Sequence, residues 1–267
     1  FDSLYECFLA AFSDYEVSMQ MSPEQFEQRF VRDGVRLELS AGAFDEGRMI
    51  GFYINALGVW EGKQTAYDAG TGVVPAYRGR GVASELFAFV VARLKEPGVT
   101  QYLLEVLSSN HPAISLYRKL GFVETRELAV LRTSEPVKSG GGIRGVSMRS
   151  VEQPQWELFQ SFWDRSPSWQ NSIAAVERSV PERSIVGAYV GDKCVGYGVA
   201  FRPLSILMQL AVSREHRRRG IGSRILTALQ GEVSESLKVN NVEGELAFYE
   251  ANGFRVVLKQ FEMMKTV

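Results

Sequence analysis

The chain has 267 residues, of which 45% are hydrophobic and 23% are charged, and its formal net charge is −1. This composition is that of a globular protein with enough apolar mass for two cores. The balanced charge argues against a general polyanion-binding protein, so no nucleic-acid partner is expected. Two cysteines and two histidines favour neither a disulfide framework nor a metal site. No apolar run has membrane-spanning length and no signal peptide is evident, so we expect a cytoplasmic protein with no membrane partner.

The chain begins with two predicted amphipathic helices, over residues 1–12 and 22–31, whose apolar residues recur at helical spacing. Ser22, Pro23 and Gln25 supply a capping residue, a first-turn proline and a capping-box partner for the second helix. Further along, strands are predicted at 36–43, 49–56, 65–74 and 126–131, a hairpin turn at 45–47 and a loop at 58–64.

Two turns, at residues 78–83 and 217–222, share one pattern. They read Arg-Gly-Arg-Gly-Val-Ala and Arg-Arg-Arg-Gly-Ile-Gly, and each lies between an apolar strand and an apolar-periodic helix. Glycines allow a tight turn in which several backbone N–H groups point at one anion, beside the positive end of the helix. The sequence therefore predicts two phosphate-binding turns. The helix after the first turn is predicted to bury Val82, Leu86, Phe89, Val90 and Leu94.

A second repeated pattern follows each turn: a strand and then a helix containing a tyrosine before a Gly-Phe pair. Tyr117 precedes Gly121 and Phe122, and Tyr249 precedes Gly253 and Phe254. With these motifs, the chain resembles the GCN5-related N-acetyltransferase (GNAT) superfamily over most of both halves. The resemblance implies an α/β (α+β) fold of two tandem domains. Each would be a mixed, mostly antiparallel twisted sheet flanked by helices, with a splay between its fourth and fifth strands.

The predicted domains are an acetyltransferase domain at 1–136, a linker at 137–143 and a GNAT-like domain at 144–267. The linker assignment rests on the composition of residues 134–145, which include Ser139 and three successive glycines. The resemblance also implies a strand before the first helix, which is absent here or lies outside this sequence.

The resemblance implies transfer of an acetyl group from acetyl-CoA, without a metal, to a primary amine that attacks the thioester directly. Tyr117 matches the position of the family's general acid, which protonates the departing thiolate; its alternative is a tyrosine packed in the core. Asp68 is the only carboxylate of the strand at 65–74 and is the predicted base. Its spacing is one residue from that expected, so its side chain is predicted to point to the opposite face. Its alternative roles are holding a substrate ammonium or capping the strand edge.

Further residues are implied to bind the coenzyme. The strand end would run beside the pantetheine arm, the first turn would donate N–H groups to the pyrophosphate, and an asparagine would both bind the arm and cap a helix. These residues are Val73, Val74, Arg78, Gly79, Arg80, Gly81, Val82, Ala83 and Asn110.

The second half is predicted to be catalytically weak or silent, with coenzyme binding left open. Its strand at 206–212 carries no carboxylate, and Gln209 is its only polar side chain. The basic run around Arg217 resembles a nucleic-acid patch, but the phosphates of CoA account for it equally well.

The leading functional prediction is acetylation of a small-molecule amine, with catalysis in the N-terminal half. The alternatives are a non-catalytic CoA-binding sensor or interaction protein, and an acetyltransferase for protein lysines or N-termini. Asp14, Tyr15, Trp60 and Glu61 are candidates to contact the acceptor, and self-association as a homodimer is left open.

Overall fold

The computed structural model describes residues 1–16, 19–94, 98–135, 137, 144–244 and 246–267. They form two compact units, Phe1–Arg126 with Phe261–Val267, and Glu127–Gln260. None of the described helices is long and apolar enough to span a membrane. The helices are α1 (Asp2–Ala11), α2 (Pro23–Asp33), α3 (Val82–Arg93), α4 (His111–Lys119), α5 (Trp156–Gln160), α6 (Ile173–Arg178), α7 (Ile221–Gln230) and α8 (Ala247–Ala251). The strands are β1 (Ala41–Asp45), β2 (Arg48–Trp60), β3 (Lys63–Val73), β4 (Gln101–Leu107), β5 (Val123–Arg132), β6 (Val146–Ser150), β7 (Arg183–Val190), β8 (Lys193–Phe201), β9 (Ile206–Val212), β10 (Lys238–Val242) and β11 (Arg255–Thr266).

The first unit is a mixed sheet with helices on both faces. Strands β1, β2 and β3 are antiparallel, β3 is parallel to β4, and the end of β11 and the start of β5 follow. Because successive strand residues point to opposite faces, Phe52 of β2 packs on Phe8 of α1, whereas Tyr53 packs on Phe87 of α3. Helices α1 and α3 therefore cover opposite sides of the same sheet.

The cap predicted for the second helix is present. Ser22 Oγ accepts a hydrogen bond from the Gln25 amide, and the Gln25 side chain accepts one from the Ser22 amide. The reciprocal bonds form a capping box, and α2 starts at Pro23 as expected.

The predicted loop at 58–64 is wrong. Strands β2 and β3 continue through this region up to the pair Trp60 and Lys63. Only Glu61 and Gly62 form the turn, both with positive φ (51° and 76°), as a tight two-residue hairpin requires. The predicted strand at 36–43 is also shorter: a 3-10 helix occupies Leu37–Leu39 and β1 begins at Ala41.

The buried side of α3 differs from the prediction at Phe89, and Val82 is only half-buried. Phe89 is 49% exposed, whereas Phe87 is buried with Leu86 and Val90. At 100° per residue, these three lie within one arc and Phe89 lies outside it. Its ring is instead covered by the guanidinium of Arg93, 3.6 Å from the centroid.

Residues from the end of the chain complete the first unit. Met263 of β11 is fully buried in the core built around Tyr53, Val90 and Tyr102, and the Lys265 ammonium donates to the Leu120 carbonyl. The first compact unit is therefore built from two stretches that are far apart in the sequence. The domain ranges 1–136 and 144–267 remain a prediction, and residues 138–143 of the proposed linker lie outside the described residues.

The second unit repeats the architecture of the first. Strands β6, β7, β8 and β9 are antiparallel neighbours, β10 is parallel to β9, and β5 is antiparallel to β10. A turn after β9 opens α7, whose Ile221, Ile225 and Leu229 are buried against the sheet.

Candidate functional site

The site of the first unit begins where two parallel strands separate. Strands β3 and β4 pair only from Thr65 to Tyr67, opposite Gln101 to Leu103. Beyond Tyr67, the edge of β3 that faces β4 has no strand partner within the described residues. A bulge leaves Ala69 opposite no residue of β2, and bulges bend strands in this way. The divergent strand ends and the turn after β3 border a cavity of about 610 Å³.

The glycine turn presents free backbone donors to this cavity. Gly81 has φ +86° and is the residue before α3, a conformation that favours glycine. Among the described residues, the amides of Gly79, Arg80, Gly81, Val82 and Ala83 donate no hydrogen bond to the protein. These donors lie at the positive end of a helix, so they fit the diphosphate of a nucleotide-type carrier.

Arg78 corrects one sequence expectation. Its amide donates to the Pro75 carbonyl at 3.2 Å, so it is not a free donor. Its guanidinium binds both carboxylate oxygens of Asp14 and the carbonyls of Ala11 and Val73. Arg78 thereby joins the end of α1 to the end of β3, and it borders the cavity as a structural residue.

The other predicted coenzyme residues divide into two groups. Val73, Gly79, Gly81, Val82, Ala83 and Asn110 line the cavity, whereas Val74 and Arg80 do not. The Val74 amide is bonded to the Ile50 carbonyl, and the Arg80 guanidinium lies over the ring of Tyr77. The side chain of Asn110 caps α4 by accepting from the Ala113 amide.

Asp68 and Tyr117 meet at the floor of the site. The Tyr117 hydroxyl donates to Asp68 Oδ2 at 3.2 Å, and the Thr71 hydroxyl donates to the same oxygen at 2.8 Å. Asp68 Oδ1 accepts from the Gly70 amide at 2.9 Å. Spacing alone predicts that the Asp68 side chain points to the opposite face, but the bulge at Ala69 shifts the alternation of β3 and Asp68 contacts Tyr117.

Burial changes the acid–base properties of this floor. It raises the pKa of Asp68 from 3.8 to about 6, although hydrogen bonds from Thr71 and Gly70 act in the opposite direction. Burial, together with the charge of Asp68, raises the pKa of Tyr117 well above 10. At neutral pH the floor therefore holds an ionised carboxylate beside a protonated phenol.

A second carboxylate with a raised pKa, which sequence reasoning missed, lies on β4. Glu105 accepts a hydrogen bond from the Tyr67 hydroxyl at 3.0 Å. Burial and then the charge of Glu262 raise its pKa to about 8. A signal was present, since Glu105 is the one charged residue of the apolar run from Tyr102 to Leu107. Within the described residues, no group of three or more His, Cys, Asp or Glu side chains could hold a metal.

The segment after α1 also borders the cavity. Phe12, Asp14, Tyr15 and Glu16 line it, and Ser109 donates to a Glu16 carboxylate oxygen at 2.5 Å. Two of the four predicted acceptor-contact residues are therefore at the cavity. Trp60 and Glu61 end the β2–β3 hairpin and do not line it.

The second unit repeats the frame but not the chemistry. Its bulge falls at Met208, at the same distance from Arg217 as Ala69 is from Arg78. The position equivalent to Asp68 is therefore Leu207, which is buried. Next to the bulge, the Gln209 side chain accepts a hydrogen bond from the Tyr197 hydroxyl and donates one to the Asn171 carbonyl.

Arg217 makes the same contacts as Arg78. It binds the carboxylate of Asp164 and the carbonyls of Val212 and Phe162. The repeat found in the sequence therefore extends to side-chain contacts.

A splayed parallel strand pair beside a turn of free amides is the arrangement expected of an α/β protein that binds a phosphorylated carrier. Comparisons with known proteins agree: residues 1–122 match the acetyltransferase (GNAT) family and residues 181–256 match an acetyltransferase (GNAT) domain. The [ribosomal protein bS18]-alanine N-acetyltransferase of Haemophilus influenzae is 31% identical over 140 residues, or 50% of this chain and 87% of that protein. The chain belongs to the GCN5-related N-acetyltransferase family, as two tandem copies of its fold.

Two further similarities show how much of the chain and of each related protein is matched. The N-alpha-acetyltransferase MAK3 of Arabidopsis thaliana is 35% identical over 86 residues, 32% of this chain and 45% of that protein. The chain thus spans about half the length of this relative. A tandem GNAT protein from the clavulanic acid biosynthesis pathway superposes with a TM-score of 0.72 at 15% identity, over 99% of this chain and 94% of that one. This likeness shows the tandem fold.

Proposed function

We propose that the protein is an acetyl-CoA-dependent N-acetyltransferase that acylates a primary amine in its first unit. The observation that carries the proposal is the contact between Asp68 and Tyr117 at the floor of a cavity bordered by free amides. The amides of Gly79, Gly81, Val82 and Ala83 hold the diphosphate, and Val73 and Asn110 flank the arm that carries the thioester.

The two floor residues divide the proton transfers. Ionised Asp68 takes the proton that the attacking amine must lose, and protonated Tyr117 gives one to the departing thiolate. Each residue already has the required protonation state at pH 7, because burial leaves the carboxyl pKa near 6 and the phenol pKa above 10.

Two acceptor classes remain in competition. A small-molecule amine is favoured by the position of segment 12–16. Hydrogen bonds from Arg78 to Asp14 and from Ser109 to Glu16 hold this segment beside the cavity. An α-amine at a protein N-terminus is favoured by the names of the relatives in Haemophilus influenzae and Arabidopsis thaliana. We expect the amine itself, whichever molecule carries it, to sit against the same floor.

In this proposal the second unit does not catalyse acetyl transfer. It has Leu207 at the position of the base, and its buried Gln209 is a neutral amide already bonded to Tyr197 and Asn171, which cannot act as a base. Catalysis by the second unit would require another carboxylate where the parallel strands β9 and β10 separate.

Calorimetry with CoA and thiol release from acetyl-CoA test the proposal. The acceptors are a peptide with a free N-terminal alanine, an N-acetylated peptide with one lysine, and phenethylamine. We expect CoA binding, turnover of at least one amine and a loss of kcat by about 10²-fold or more in Tyr117→Phe. Tyr249→Phe is the matched control in the second unit and should retain activity. CoA binding without turnover would indicate a sensor, and no CoA binding would refute the proposal.

A further inference from the structure

The proposed base does not itself line the cavity. Asp68 is 8% exposed and is not among the residues that border the cavity, whereas Thr71 and Tyr117 both are. Both hydroxyls donate to the same oxygen, Oδ2, at 2.8 and 3.2 Å. The other oxygen, Oδ1, is held by the Gly70 amide. Any proton that passes between the cavity and Asp68 Oδ2 therefore has two hydroxyls available to carry it.

We propose that Thr71 relays the substrate proton to Asp68, so that Thr71, Asp68 and Tyr117 form one closed proton path across the floor of the site. This inference rests on the proposed function and adds a residue that sequence motifs do not indicate. The Thr71 hydroxyl donates its hydrogen to Asp68, and its oxygen lies beside the hydroxyls of Tyr53 and Tyr117. A hydroxyl oxygen has two acceptor lone pairs, so Thr71 can take up a proton from the cavity side.

The bonds and protons of this path balance over one turnover. The amine nitrogen forms a bond to the acetyl carbon and the bond from that carbon to sulfur breaks. The surplus N–H proton passes to Thr71 Oγ1 while the original Thr71 proton passes to Asp68 Oδ2. Tyr117 gives its proton to the thiolate and takes the one now on Asp68. The products are the amide and the free thiol, and all three side chains return to their starting state.

The titratable groups around Asp68 allow a change in its pKa to be detected in the pH–rate profile. The titratable groups that face it are Tyr53 of β2, Tyr102 of β4 and Tyr117 of α4. Burial raises the pKa of all three well above 10, so none of them titrates near pH 6. A shift of the acidic limb of the rate profile therefore reports on Asp68.

The test compares Thr71→Val with Thr71→Ser, using acetyl-CoA and the panel amine with the highest turnover. Valine keeps the shape and strand preference but removes the hydroxyl, whereas serine restores it. We expect Thr71→Val to lower kcat by about 10²-fold with KM for acetyl-CoA unchanged. Its acidic limb should move above pH 6, because the Thr71 hydrogen bond stabilises the ionised carboxylate. Thr71→Ser should keep both the rate and the limb.

Three results would contradict the proposed relay. The first is an unchanged kcat in Thr71→Val, the second is a serine variant as impaired as the valine variant, and the third is a loss of kcat without a shift of the acidic limb. A near-ultraviolet circular dichroism spectrum identical to the wild type confirms that Thr71→Val is folded. If Thr71→Val does not fold, Thr71→Ala provides the same comparison. A wild type that turns over none of the panel amines fails the proposed function and this inference together, whereas an active wild type with a normal Thr71→Val fails the relay alone.

Discussion

Asp68 shows how one buried residue acquires a functional pKa. Removal from water favours its neutral form, and three donors favour its ionised form. Burial has the larger effect, so the pKa rises to about 6 instead of falling. The group thus remains ionised at pH 7 while its affinity for a proton is higher than that of an exposed aspartate.

The pH profile distinguishes Asp68 from Glu105 as the base. A base works only when ionised, so kcat/KM should rise with pH through about 6 for Asp68, and through about 8 for Glu105. We expect a limb near pH 6 that persists in Glu105→Gln. In Asp68→Asn we expect a rate reduced by about 10²-fold or more and no such limb. A limb near 8 that disappears in Glu105→Gln would assign the role to Glu105.

The same residue should make stability depend on pH. The pKa of Asp68 is higher in the folded state than in the unfolded chain, so the folded state binds the proton more tightly. The free energy of unfolding should therefore fall as pH rises from about 4 to about 7, by on the order of 3 kcal/mol from this group. Denaturant titrations of wild type and Asp68→Asn across this range should show a weaker decrease in the variant. Equal slopes would contradict the raised pKa.

At the scale of elements, each glycine turn is fixed by an arginine that the motif alone assigns to phosphate. The Arg78 guanidinium joins β3 to the end of α1, and Arg217 joins β9 to the carbonyl of Phe162 and the carboxylate of Asp164. Because the guanidinium is engaged in these bonds, we expect the backbone amides rather than this side chain to bind the anion. The planar fork of arginine suits these several simultaneous bonds, and lysine does not reproduce it.

Arg78→Lys should therefore loosen the segment after α1. We expect faster amide hydrogen exchange in residues 12–16, because the lysine ammonium cannot satisfy Asp14, Ala11 and Val73 together. Arg217→Lys is the matched variant and should accelerate exchange after Phe162 while residues 12–16 stay unchanged. Unaltered exchange at 12–16 in Arg78→Lys would show that the segment is held by other contacts.

At the scale of the whole molecule, the first unit depends on the last residues of the chain. Met263 lies in its core, and Glu262 accepts from Thr125 and pairs with Arg126 at 2.7 Å. Burying one such apolar side chain stabilises a fold by roughly 1.5–3 kcal/mol. A strand that supplies several contacts of this kind represents a large share of the stability of a compact unit.

Deleting residues 261–267 should consequently impair the first unit. We expect a lower melting temperature and loss of CoA binding, although every residue of the candidate site is retained. Met263→Ala should give a graded loss of about 2–5 kcal/mol, and deletion of Val267 alone serves as the mild control. Full CoA affinity in the seven-residue deletion would show that the first unit folds without this segment.

Local patterns in the sequence were sufficient for the family, the repeat and most of the elements. The capping box at Ser22, the glycine turns and the Tyr117 helix each depend on residues close together in the chain, so their spacing carries the information. The same locality explains the errors. The sequence predicts a loop at 58–64, but cross-strand pairing continues through Trp60 to a turn of only two residues.

Only the tertiary structure decided which side chains lie together. The side on which Asp68 points depends on the bulge at Ala69, and a bulge is defined by the partner strand rather than by the residues that form it. Thr71 and Glu105 gain their importance from neighbours on other elements, as does Met263 from a core built by residues far earlier in the chain. The sequence by itself determined the turns and the catalytic family, because these are short-range patterns. The contacts at the floor of the site are long-range, and burial sets their chemistry only after the chain has folded.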